Sequence, residues 1–151
     1  MPKCLNNIVR LRFNDGDKAL DVERRALQAV IVCASLVPIL AGLAGMAAGA
    51  GFIRGGTVSS IGIDSHFHYL SGLLLGIGLG FLSTVPRIEC HGDRFLLLAG
   101  IVFVGGLGRL AALAVSGTPP ASMRAALAME LLVTPALALW QRRIARQVRS
   151  G

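Results

Sequence analysis

Four apolar stretches constrain this chain more than any other feature. They run from about 26 to 53, 65 to 85, 95 to 115 and 121 to 140. Each has at least about 18 residues, enough to cross a hydrocarbon core of roughly 30 Å as a helix. Backbone groups inside lipid must be paired within the protein, so such stretches become helices. The expected fold is all-α: an integral membrane four-helix bundle. Composition agrees, with 54% hydrophobic residues and a mean hydropathy of +0.66. In 151 residues there is no room for a separate soluble domain beside the spans.

The net charge of +7 could suggest nucleic acid, but its placement argues for a membrane surface. Twelve of the fifteen Lys and Arg residues lie in the arm 1–25, the loop 86–94 and the tail 141–151. Basic residues concentrate in cytoplasmic segments, so both termini are expected in the cytoplasm. Anionic lipid is then the natural partner of these segments. No nucleic-acid motif is present. The arm 1–25 reads as a short cytoplasmic or interfacial segment. Ala48-Gly49-Ala50 could pass for a signal cleavage site, but the apolar run before it is long for a signal peptide. Cys4, Cys33 and Cys90 form no CxxC pair, and no structural disulfide is expected.

Small residues set the expected packing. Gly72, Gly76 and Gly80 stand at i, i+4, i+8 in the second span, and Gly45 and Gly49 repeat the GxxxG spacing in the first. Lipid tails give helices little hydrophobic reason to associate, so close backbone approach through glycine matters. These faces suit packing within the bundle, or a homo-oligomer. Pro38 and Pro135 are expected to kink the first and fourth spans.

Two spans carry a lone charge. Arg109 and Glu130 each cost roughly 2.5–3.5 kcal/mol to insert, so each should face the interior and have a partner. Arg109 is six residues from Val115 and Glu130 nine from Ala121. At 1.5 Å per residue the two lie within about 5 Å of the same depth, which an arginine side chain spans. A buried bidentate ion pair is therefore expected. Asp64, at a helix N-cap position, precedes His66, His68, Tyr69 and Ser71 on the same outer side. Together these residues outline a polar pocket opening outward, organised by Arg109 and Glu130. Asp64, His66 and His68 are metal-ligand types, but i, i+2 spacing on a helix separates them, so no metal site is expected. No nucleophile, phosphate-loop or dinucleotide motif appears, and no catalytic residue is assigned.

The runs Asp64-Ser65-His66-Phe67-His68-Tyr69-Leu70-Ser71-Gly72-Leu73-Leu74-Leu75-Gly76, Pro86-Arg87-Ile88-Glu89, Gly105-Gly106-Leu107-Gly108-Arg109 and Met129-Glu130-Leu131-Leu132-Val133-Thr134-Pro135 resemble the bacterial membrane family of domain of unknown function 4345. The resemblance covers about 25 to 143. It implies a four-span protein of the bacterial inner membrane and supplies no activity. Family members often carry arginine where this chain has His68. By fold analogy the family is similar to small four-helix membrane proteins of the DoxX type.

The function expected is non-catalytic: binding a lipid or small amphiphile, or serving as a small accessory subunit of a membrane complex. A hydrophobic cofactor such as a quinone would fit the spans, but nothing specifies one. Two other classes compete. An oligomeric proton-coupled transporter would use Arg109, Glu130 and His68. An intramembrane enzyme would use Glu130 as acid or base.

Overall fold

A computed structural model describes residues 15–49, 61–116 and 120–150. Among them there is helix and turn and no strand. Helix α1 is Asp15–Ala48 and α2 is Ile61–Thr84. A 3-10 turn, Val85–Arg87, follows where Pro86 removes a helical donor. Helix α3 is Gly92–Ser116. The fourth rod has three parts: α4, Ala121–Ala128; a π-helical turn, Met129–Val133; and α5, Thr134–Ser150.

Four of these segments are long and apolar enough to cross a membrane: Lys18–Ala48, Ile61–Arg87, Gly92–Val115 and Ala121–Val148. At most 22% of each apolar window is buried within the protein. A water-soluble fold would cover such surface, whereas a lipid solvent leaves it outside. The chain is a multi-pass membrane protein.

The helices differ from the sequence expectation at their ends. Helix begins at Asp15, so the second half of the expected arm continues the first span as one rod. The segment 1–14 and the end of the expected first span, 50–53, lie outside the described residues. The expected tail is helical to Ser150, because its outward arginines alternate with an inward face of Gln141, Ile144 and Ala145. Asp64 is not an N-cap. Helix α2 starts three residues earlier, and Asp64 lies in its first turn, where a carboxylate still favours the helix dipole.

The chain divides into two compact units. One is Ala29–Val85, in which the later part of α1 packs on α2. Its contact is made of small residues. A Cβ placed on Gly42 would lie 2.7 Å from both the Leu75 backbone nitrogen and the Ser71 carbonyl oxygen. One on Gly78 would lie 2.6 Å from Ile39 Cγ1. Gly45 meets the Ser71 side chain. Ser35 and Ser71 are buried in this contact and donate back to their own helices, to the Ile31 and Phe67 carbonyls, both at 2.7 Å. Gly49 closes α1 with φ of +59°, the left-handed conformation that glycine adopts at helix ends.

The expected glycine face of α2 is not the one used in this unit. A Cβ on Gly76 would meet nothing within 4 Å, and one on Gly72 only Met46 Sδ at 3.9 Å. Gly78, two residues round the helix from Gly76 and Gly80, makes the close approach instead.

The other unit joins Met1–Gln28 to Pro86–Gly151. Its core is Leu27, Ile88, Phe95 and Ile144, each at most 1% exposed. Gln141, equally buried, donates from Nε2 to the Ile88 carbonyl at 2.8 Å. Trp140 Nε1 donates to Glu23 at 3.0 Å, and Arg24 pairs with Glu89 at 3.0 Å. The start of α1, the turn before α3 and the early part of α5 therefore meet at one end of this unit. A buried carbonyl deprived of its donor costs about 1–3 kcal/mol. Gln141→Leu should accordingly lower the melting temperature measured in detergent, even though leucine is the more apolar residue. An unchanged melting temperature would mean that the Ile88 carbonyl finds another donor.

Candidate functional site

Arg109 projects from α3 near its C-terminal end, and Glu130 from the π turn. Arg109 Nε donates to Glu130 Oε2 at 3.0 Å and Nη2 donates to Oε1 at 3.1 Å. This is the parallel two-bond geometry that a planar guanidinium offers a carboxylate. The side chains are 41% and 19% exposed, so the protein leaves much of the guanidinium uncovered. A fully buried pair, as the sequence suggested, is not what forms: Glu130 is mostly covered and Arg109 is not.

Two local features bring the charges together. The first is Gly106, three residues before Arg109 and so on the same helical face. A Cβ there would lie 2.8 Å from Leu131 Cδ2 and 2.9 Å from Glu130 Cβ. Only glycine allows α3 this close to the fourth rod. The second is the π turn. Pro135 has no N–H to give the carbonyl one turn back, and its ring crowds that carbonyl. The ladder widens just before it: the Thr134 backbone N–H and its hydroxyl both donate to the Met129 carbonyl, the hydroxyl at 3.0 Å. Pro135 was expected to produce a kink; what precedes it is a π turn. Such turns recur at functional sites, since they re-aim the side chains they carry.

The other expected site residues belong to the Ala29–Val85 unit. His68 Nδ1 lies 2.9 Å from the Asp64 backbone carbonyl. A carbonyl only accepts, so this distance places a proton on Nδ1 and aims the ring. The Asp64 carboxylate is 3.6 Å from the same nitrogen. Gly49 abuts both residues; a Cβ there would be 2.7 Å from His68 Cε1. His66 and Tyr69 are exposed, with ring centroids 6.3 Å apart. Ser71 lines no pocket mouth: it is buried against Gly45. Among the described residues no group of three His, Cys, Asp or Glu could hold a metal ion.

The polar cluster of Glu23, Arg24, Glu89, Trp140 and Gln141 was not singled out in the sequence. Its signal was faint. Gln141 is uncharged and sits where an apolar span gives way to a basic tail, so it reads as boundary. Ile88 lies in a turn that composition presents as a charged loop.

Residues 26–141 match the family model described as domain of unknown function 4345. No curated protein and no solved structure matches the chain.

Proposed function

We propose that this chain, which belongs to the family of domain of unknown function 4345, is a non-catalytic protein of the bacterial inner membrane with both termini in the cytoplasm. It holds the polar head of a lipid or small amphiphile at the Arg109–Glu130 pair, alone or as a small accessory subunit of a membrane complex.

One observation carries this reading. A guanidinium has five N–H donors. Two of Arg109's are committed to Glu130, and among the described residues the others have no acceptor. Those donors stand in a span, where hydrocarbon offers none either. An oxygen-rich headgroup or a polar partner side chain would satisfy them. An ionisable residue within a span is a functional candidate by default, and this one is aimed by a carboxylate and a π turn. Basic segments near the ends of the spans support the cytoplasmic assignment of the termini.

The test is native mass spectrometry of the protein released gently from its own membrane. The expected result is a stoichiometric bound mass, or a partner chain, that is lost in Arg109→Leu/Glu130→Leu while helical content is retained. A bare chain in both forms would reduce the pair to a structural contact.

A further inference from the structure

The outer face of α5 carries a second feature, which begins at Leu139, nine residues beyond Glu130 on the same rod. Leu139, Arg142, Arg143 and Arg146 fall at i, i+3, i+4 and i+7, which is one helical face. All four are exposed, and with Gln147 they line a recess of about 240 Å³. The opposite face, Ala138, Gln141, Ile144 and Ala145, is buried in the unit's core. The arginines are therefore held on a helix that is itself anchored. Among the described residues no carboxylate pairs with Arg142, Arg143 or Arg146. This contrasts with Arg24 and Arg109, which both have partners. Immediately on the apolar side stand Leu139, 67% exposed, and deeper in the span Leu132, 70% exposed.

From this arrangement we propose that Arg142, Arg143 and Arg146 form a binding site for the headgroup phosphate of an anionic phospholipid, with its acyl chain along Leu139. Three observations argue for a lipid rather than another occupant. The charge is of one sign and, among the described residues, has no carboxylate partner. The recess joins a basic rim to exposed leucine, as a phospholipid joins phosphate to hydrocarbon. The site lies where an apolar span ends, which is headgroup level. Guanidinium planes suit the task because they bind phosphate oxygens in pairs, whereas an ammonium acts as a point charge. Basic pockets at the cytoplasmic ends of spans bind anionic headgroups in this way.

The experiment uses the purified full chain with phosphatidylglycerol or phosphatidylcholine of identical acyl chains, read by native mass spectrometry. Retention of phosphatidylglycerol over phosphatidylcholine is expected. Arg142→Gln/Arg143→Gln/Arg146→Gln should weaken it by about a hundredfold, since each of the three basic side chains near an anionic surface contributes roughly fivefold. Arg124→Gln, at the other end of the same rod, should not. The triple lysine variant keeps the charge and should still lose affinity, because it lacks the paired donors; retained helical content by circular dichroism shows that both variants fold. Equal retention in the lysine variant would mean diffuse attraction without a site, and would overturn the proposal. So would equal retention of the two lipids, or unchanged binding in the glutamine variant. Loss of binding in Arg109→Leu/Glu130→Leu alone would assign the lipid to the other site and overturn this one.

Discussion

Arg109→Leu should destabilise the protein by up to about 3 kcal/mol, the low end of the range for a buried ion pair that loses one partner, because Arg109 itself is 41% exposed. Glu130 is the covered member, at 19% exposure, and would be left in the contact between α3 and the π turn with no cation. Glu130→Leu should cost less, because the uncovered Arg109 can turn its long side chain toward a polar interface. Arg109→Leu/Glu130→Leu should regain most of the loss, since apolar replacement of a whole pair is often close to neutral. The measurement is a double-mutant cycle on unfolding in bilayers or mixed micelles. Polar contacts between helices in one well-measured membrane protein average only about 0.6 kcal/mol. A coupling of that size would place Arg109–Glu130 among ordinary contacts and withdraw its claim to organise a site. A coupling several times larger, with the double variant stable but unable to hold its ligand, would separate the functional part of the pair from the structural part.

The pairing of Arg109 with a residue on the next span was legible because depth in the membrane and the cost of an unpaired charge are enough to predict it. Four spans were legible for a similar reason: length and apolarity act over some twenty residues, so local irregularity does not erase them. Helix ends were less so. Asp15 to Arg25 is polar, yet it continues α1, because Glu23 and Arg24 have partners in Trp140 and Glu89 that sequence proximity does not reveal. The π turn was hidden for another reason. Proline in a span announces a disturbed ladder, but whether the result is a kink or a widened turn depends on which donor replaces the missing one. Here Thr134 supplies both its N–H and its hydroxyl to Met129. Gly106 was visible as one glycine among several in α3. Its separate role rests on a neighbouring helix whose rotation the sequence does not state.

Gly42→Ala and Gly76→Ala should part company, although both replace a glycine in a span. The methyl on Gly42 would sit 2.7 Å from two backbone atoms of α2, the Leu75 nitrogen and the Ser71 oxygen. Backbone cannot step aside as a flexible side chain can, so α1 and α2 must separate along this contact. Overpacking of a tight contact costs about 1–3 kcal/mol, and Gly42→Leu should exceed the alanine variant. At Gly76 the added methyl meets open space. Alanine there removes the conformational freedom of glycine and should be neutral or stabilising by up to about 1 kcal/mol. Both variants can be followed by forced separation of the spans in bilayers. The contrast decides what the repeated glycine spacing of α2 is for. If Gly76→Ala destabilises as strongly as Gly42→Ala, the Gly72–Gly76 face packs against another helix, from this chain or a second copy. If it is neutral while Gly42→Ala is not, helix packing rests on Gly42, Gly45 and Gly78, and a GxxxG spacing marks small residues without saying which face of the helix is used.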